Sequence, residues 1–168
     1  MRRLDFLKAS IFLLASHSLI SCEARLQTPE EALRIAQNYA DLEWMPEEHH
    51  IRHGKDIGGV TVHTPDTTLK EHGDSRGWWQ PGVKAKGMAY KWGGFDTPET
   101  YFLGLEKGKK AGDIANSYKI LKDDSAVSSD SVGVDCSGFV SRCWGLYKPF
   151  STRKLPLISD PVTWEELR

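Results

Sequence analysis

The stretch Val132–Leu146, VGVDCSGFVSRCWGL, is the part of the chain with the fewest ways to fold. A short apolar run with one glycine gives way at Asp135 to helical spacing. Cys136, Val140, Cys143 and Tyr147 fall on one stripe, with Phe139 and Trp144 beside it, and Pro149 is the stop. The pattern predicts a short apolar run leading into a helix over 136–147, with Asp135 at its start. A cysteine placed there meets unpaired backbone N–H groups and the positive end of the helix dipole, which together favour an anion. Cys136 is therefore the candidate nucleophile, with neighbouring N–H groups available to an oxyanion. Gly138 leaves room for a substrate backbone to approach. Cys143, further along the stripe, reads as core. The competing interpretation makes both sulfurs core.

The chain has 168 residues, enough for one domain. A net charge of −1 supplies no basic footprint for nucleic acid. The beginning is of different material. Arg2, Arg3 and Lys8 precede the apolar run Ala9–Ile20, whose 12 residues fall short of the roughly 20 that a spanning helix needs. That is the length of a signal peptide. It ends Leu19-Ile20-Ser21-Cys22, which resembles the bacterial lipobox, so Cys22 is expected to carry lipid and become the mature N-terminus. The mature chain then keeps Cys136 and Cys143. Seven residues apart on one helix, they are separated by a rise of about 10 Å, beyond the roughly 7 Å reach of a disulfide. Both are expected as free thiols.

Thr28-Pro29-Glu30, Thr64-Pro65-Asp66 and Thr97-Pro98-Glu99 share a helix-start signature: a threonine cap, a proline at the first helical position and an acid at the dipole's positive end. The first continues as a helix over 28–40, with Glu31 completing a capping box. The third gives a short helix over 98–106, and the second reads as a turn. Residues 46–88 read as loop-rich, with Val60–Thr64 the one strand-like alternation. Residues 117–133 read as a polar connection, and Thr163–Glu166 as the start of one more element.

The Asp135–Leu146 segment, preceded by AYKWGGF over 89–95, resembles the NlpC-type family of papain-like cysteine peptidases, which cut bacterial cell-wall stem peptides. The resemblance covers residues 85–168. It implies an α+β, papain-like fold whose helical half is present and whose C-terminal antiparallel sheet is largely missing. It implies hydrolysis of the γ-D-glutamyl–diamino acid bond with no cofactor. Cys136 matches the nucleophile, Tyr90 a tyrosine lining the cleft, and Asp135 and Ser137 residues that hold the free amino end of the stem peptide. Trp92, Gly93 and Gly94 match turn and packing positions.

Two departures stand out. Forty residues lie between Gly94 and Asp135, far more than in the family, so an insertion over 96–132 is expected, more as surface decoration than as a determinant of specificity. The second departure concerns the base. His17, His49, His50, His53, His63 and His72 all precede Cys136, whereas the family's histidine follows its cysteine. The chain reads as stopping before its own base.

The organisation expected is a signal peptide with lipobox over 1–22, a loop-rich region with one helix over 23–84, and a partial peptidase domain over 85–168. His49, His50 and His53 lack a closing cysteine or carboxylate, so they are read as surface residues and not as a zinc site. His53 or His63 as a substitute base conflicts with the unpermuted motif order. Trp78 and Trp79 read as a core or hinge pair before a sugar platform. Two functions compete: an exported, membrane-anchored cell-wall peptidase whose partner is the stem peptide, and a non-catalytic lipoprotein that at most binds that peptide.

Overall fold

The structure is a computed structural model that describes residues 27–71, 74–75, 77–114 and 126–166. Among these residues it is a mixed α+β arrangement of three helices and several very small sheets. The leader over 1–22, including Cys22, lies outside the described residues, as do His72 and most of the 117–133 connection.

Helix α1 is Pro29–Ala40, α2 is Pro98–Glu106 and α3 is Cys136–Cys143. The first two start as their Thr-Pro signatures predict. Thr28 Oγ1 accepts from the Glu31 N–H at 3.2 Å, and Glu31 Oε2 accepts from the Thr28 N–H at 2.9 Å. In α2 the returning bond comes from Thr100, whose Oγ1 accepts from the Thr97 N–H at 2.8 Å.

The strands, each of two or three residues, are β1 Glu43–Trp44, β2 His53–Lys55, β3 Thr61–His63, β4 Lys70–Glu71, β5 Asp74–Ser75, β6 Ala85–Lys86, β7 Lys110–Ala111 and β8 Ser131–Val132. They pair two by two. β1 with β6, β2 with β3, and β4 with β5 run antiparallel, and β7 with β8 runs parallel. The 46–88 region is thus irregular in outline but stapled by hairpins. Thr64-Pro65-Asp66 forms the expected turn: the Asp66 carboxylate accepts from the Thr68 N–H at 2.9 Å and its carbonyl from the Leu69 N–H at 3.0 Å.

One core collects Leu42, Trp44, Trp79, Ala89, Tyr101, Leu105, Ala111 and Val132. Trp44 meets Trp79 and Tyr101 edge-on, each with ring centroids 5.4 Å apart. Burying each such side chain is worth about 1.5–3 kcal/mol, and each aromatic pair adds about 0.5–1.5 kcal/mol. Trp79 is the buried member of the tryptophan pair, and Trp78 is half exposed. The segment expected as decoration contributes Tyr101, Leu105, Ala111 and Val132 to this core. The expectation treated spacing in the sequence as distance from the centre. In fact α2 packs its buried face inward against β8.

Helix α3 is shorter than the stripe predicts. Gly145, at φ +68°, closes it with two bonds, Leu146 N–H to Ser141 O at 2.9 Å and Gly145 N–H to Arg142 O at 3.0 Å. That is a Schellman stop, and it takes effect before Pro149 can. Tyr147 leaves the stripe and is 75% exposed. α1 and α3 are joined by Tyr39 and Phe139, edge-on at 5.4 Å, while the Tyr39 hydroxyl donates to Asp96 O at 2.8 Å. Burial pushes the Tyr39 hydroxyl up to about 12, with Arg142 opposing.

Candidate functional site

The segment 89–96 folds around Val134 like a clasp. Tyr90 bridges Val134 in parallel and Phe95 bridges it antiparallel. The Lys91 N–H donates to Val134 O, the Val134 N–H to Ala89 O, and the Asp135 N–H to Gly94 O, each at 3.2 Å. The reversal between the two arms is the turn at Lys91–Gly94, closed by the Gly94 N–H on Lys91 O at 2.8 Å. Gly93 takes φ +66° there, a conformation that L side chains resist.

Inside the clasp the contacts are backbone on backbone. A Cβ on Gly94 would stand 2.4 Å from Gly133 O, and one on Gly133 would stand 2.3 Å from Ala89 O. A Cβ on Gly138 would stand 2.1 Å from Gly94 O. This corrects the expectation for Gly138. Its missing side chain admits the protein's own Gly94 carbonyl, not a substrate.

Asp135 ties helix to clasp. Its Oδ1 accepts from the Gly138 N–H at 2.6 Å and the Ser137 hydroxyl at 2.9 Å, and its Oδ2 accepts from the Gly93 N–H at 3.0 Å. A carboxylate has about four acceptor sites, so three are already engaged within the fold. Asp135 and Ser137 are brought together as expected, and their contacts are structural ones. Ser141, fully buried, donates to Ser137 O at 2.8 Å and accepts from the Phe150 N–H at 3.0 Å.

The two thiols part as predicted. Both are free, Cys136 exposed at the first position of α3 and Cys143 buried. Burial pushes the Cys143 thiol up from its ordinary value. Among the described residues the N–H groups of Cys136 and Ser137 have no acceptor, as the first turn of a helix requires. Tyr90 is the neighbour from the clasp. Burial pushes its hydroxyl up, and Asp135, Cys136 and Asp113 reinforce the shift. Cys136, Asp135, Ser137 and Tyr90 therefore form one group, as the sequence placed them.

Among the described residues, the histidines are engaged elsewhere in the fold. The backbone order runs from His63, to Asp113 and Ile114, to Tyr90 and Lys91, to Val134. His63 is thus separated from Val134 by the segments of Asp113 and Tyr90, and His53 pairs with His63 on its hairpin. His53 is held instead by buried Asp66, Nε2 to Oδ2 at 2.9 Å, and stacks on His63 with centroids 5.9 Å apart. The His49 and His50 rings meet at a tilt with centroids 4.0 Å apart near α2, and His50 is buried, not a surface residue as expected. Among the described residues no cluster could hold a metal ion.

Arg142 was missed in the sequence. Its guanidinium lies 3.4 Å from the Phe95 ring centroid, and its Nε donates to Phe95 O at 2.9 Å, which holds the second arm of the clasp on α3. A lone arginine six residues after a cysteine carries no signal of that role. Gly133 was missed too, although its place between two apolar residues was the available clue. The chain matches no family model, no curated protein and no solved structure.

Proposed function

We propose that the chain carries the nucleophile half of an NlpC-type, papain-like cysteine peptidase acting on cell-wall stem peptides, at the γ-D-glutamyl–diamino acid bond. The observation that carries this reading is the contrast between two cysteines on one helix. One is exposed at the N-terminus, beside Tyr90, and the other is buried. In the reaction, the Cys136 sulfur adds to the scissile carbonyl, and the helix's first N–H groups stabilise the oxyanion. The C–N bond then breaks, the amine leaves with a proton, and water hydrolyses the thioester to regenerate the thiol. The amine's proton must come from a general acid, and among the described residues His53 is held by Asp66 and the His49 and His50 rings lie against each other beside Phe102 and Leu105.

That last point supports a second reading, a lipoprotein that binds stem peptide without cutting it. Export and anchoring through lipid on Cys22 belong to both readings. The test incubates the chain, and the Cys136→Ala variant, with a free stem peptide and follows fragments by mass spectrometry. The peptidase reading expects cleavage that Cys136→Ala abolishes, once a histidine encoded beyond Arg168 is included. A stop codon directly after Arg168, with peptide binding but no cleavage, selects the binding reading. Cleavage that survives Cys136→Ala sinks the nucleophile assignment.

A further inference from the structure

The far end of α3 carries a surface that the thiol chemistry does not use. Trp144, Leu146, Tyr147, Phe150 and Ile158 line a groove of about 460 Å³ together with Gln27. Trp144, Tyr147, Leu157 and Ile158 are exposed. Residues 142–158 hold Arg142, Lys148, Arg153 and Lys154 and no Asp or Glu, in a chain whose net charge is −1. Arg142 is occupied by Phe95. Lys148, Arg153 and Lys154 are exposed and form no ion pair among the described residues. The Lys148 ammonium stands 5.1 Å from the Tyr147 centroid and 5.5 Å from that of Phe150. Aromatic rings interleaved with free cations suit a headgroup layer, where the apolar bodies enter the boundary and the cations meet lipid phosphate.

We infer that this face docks on an anionic phospholipid bilayer. Charge complementarity is the first support, and chain length is the second. Gln27 packs in the groove so closely that a Cβ on Gly145 would stand 2.7 Å from its Nε2. Cys22 is five residues earlier, and five residues span at most about 18 Å. Acyl chains on Cys22 would enter the bilayer within that radius of the groove. This second support rests on the lipidation reading above, and the first does not. Docking also sets an orientation. Cys136 and Cys143 sit at opposite ends of α3, about 10 Å apart along the axis, and only the Cys143 end carries this face. The exposed thiol is held on the side away from the lipid.

The test uses the full 168-residue chain and its Cys22→Ser variant, each with and without Lys148→Gln, Arg153→Gln and Lys154→Gln together. All four are sedimented with phosphatidylcholine vesicles and with mixed phosphatidylcholine–phosphatidylglycerol vesicles. The leader is common to every arm, so differences report the face. The three exposed cations make no ion pair among the described residues, so an unchanged unfolding midpoint serves as the fold control. In the Cys22→Ser background, the triple variant is expected to lose partition into anionic vesicles on the order of 100-fold, about a factor of five for each basic residue. Amides over 144–158 should slow their hydrogen exchange on those vesicles. Equal partition of parent and triple variant overturns the inference. So does slowed exchange over 144–158 without vesicles as dimer appears, which assigns the face to a second copy. Charge-dependent partition without acyl mass on Cys22 sinks lipidation and leaves docking standing, whereas acylated Cys22 with charge-independent partition does the reverse.

Discussion

The carbonyl oxygen of Gly94 occupies the space where Gly138 has no side chain, 2.1 Å from the position a Cβ would take. The obstacle is backbone, so neither side can rotate aside. Gly138→Ala must push α3 off the clasp. The expected loss is at or above the upper end of about 1–3 kcal/mol, read from the midpoint of urea unfolding. A loss below about 0.5 kcal/mol would show that the helix start yields freely, contrary to the contact described.

Asp135 offers a sharper test, because its two oxygens face donors on different elements. Asparagine can still cap the helix, but its NH₂ must then face the Gly93 N–H; flipped, it faces Gly138 instead. Asp135→Asn is expected to cost about 1–2 kcal/mol for the donor left unpaired. Asp135→Ala loses the cap as well, about 0.5–2 kcal/mol more. Equal stability of Asp135→Asn and the parent, measured by thermal unfolding, would show that the Gly93 link contributes nothing.

The two thiols should separate by accessibility. Iodoacetamide is expected to label Cys136 in the folded chain, while Cys143 labels only as the chain unfolds, with peptide mass spectrometry as the readout. Cys136→Ser, on an exposed position, should change stability by no more than about 0.5 kcal/mol, and Cys143→Ala should destabilise by about 1 kcal/mol. Prompt labelling of Cys143 under native conditions would contradict its burial.

His50 predicts a dependence on pH. Its Nδ1 accepts from the Glu47 N–H at 3.0 Å, and burial pushes its pKa below 6.5, with His49 reinforcing the shift. The fold therefore favours the neutral ring. Its contribution is complete above pH 6.5 and is lost as pH falls through the lowered value. Protonation would set an N–H of the ring against the Glu47 N–H. His50→Leu should be less stable than the parent at pH 7, by about 1–3 kcal/mol for the stranded donor, and should flatten this part of the acid limb. Parallel stability curves for the two proteins between pH 7 and 5 would remove His50 as the cause.

The beginnings of the helices were legible because a cap is a local event. Threonine, proline and an acid, or Asp135 before Cys136, state the start in three or four residues. The end of α3 was equally local, yet Gly145 was passed over in favour of Pro149, the louder signal. Thr61–His63 was legible from the alternation over Val60–Thr64; the other strands were not, because two-residue ladders have no period to detect, and their pairing is written in partners such as Glu43 with Lys86, far apart in the chain. Gly138 is the instructive error at the site. A glycine announces that something comes close, and only the folded backbone says that the visitor is Gly94. Cys136, Tyr90, Asp135 and Ser137 were found together because the motif spans one helix start and the segment clasped against it.

The seam of Gly94, Gly133 and Gly138 has a dynamic consequence. Interfaces made of side chains breathe by hopping between rotamers, on picosecond to nanosecond times. A seam of carbonyls against bare α-carbons has no rotamers to exchange. It can open only by moving whole segments at once, which breaks the bonds at Val134 and Asp135 in the same event. The amides of Val134, Asp135 and Gly138 are thus expected to exchange hydrogen in one cooperative step with a shared protection factor. In such a place the sulfur's position is as definite as the main chain that carries it.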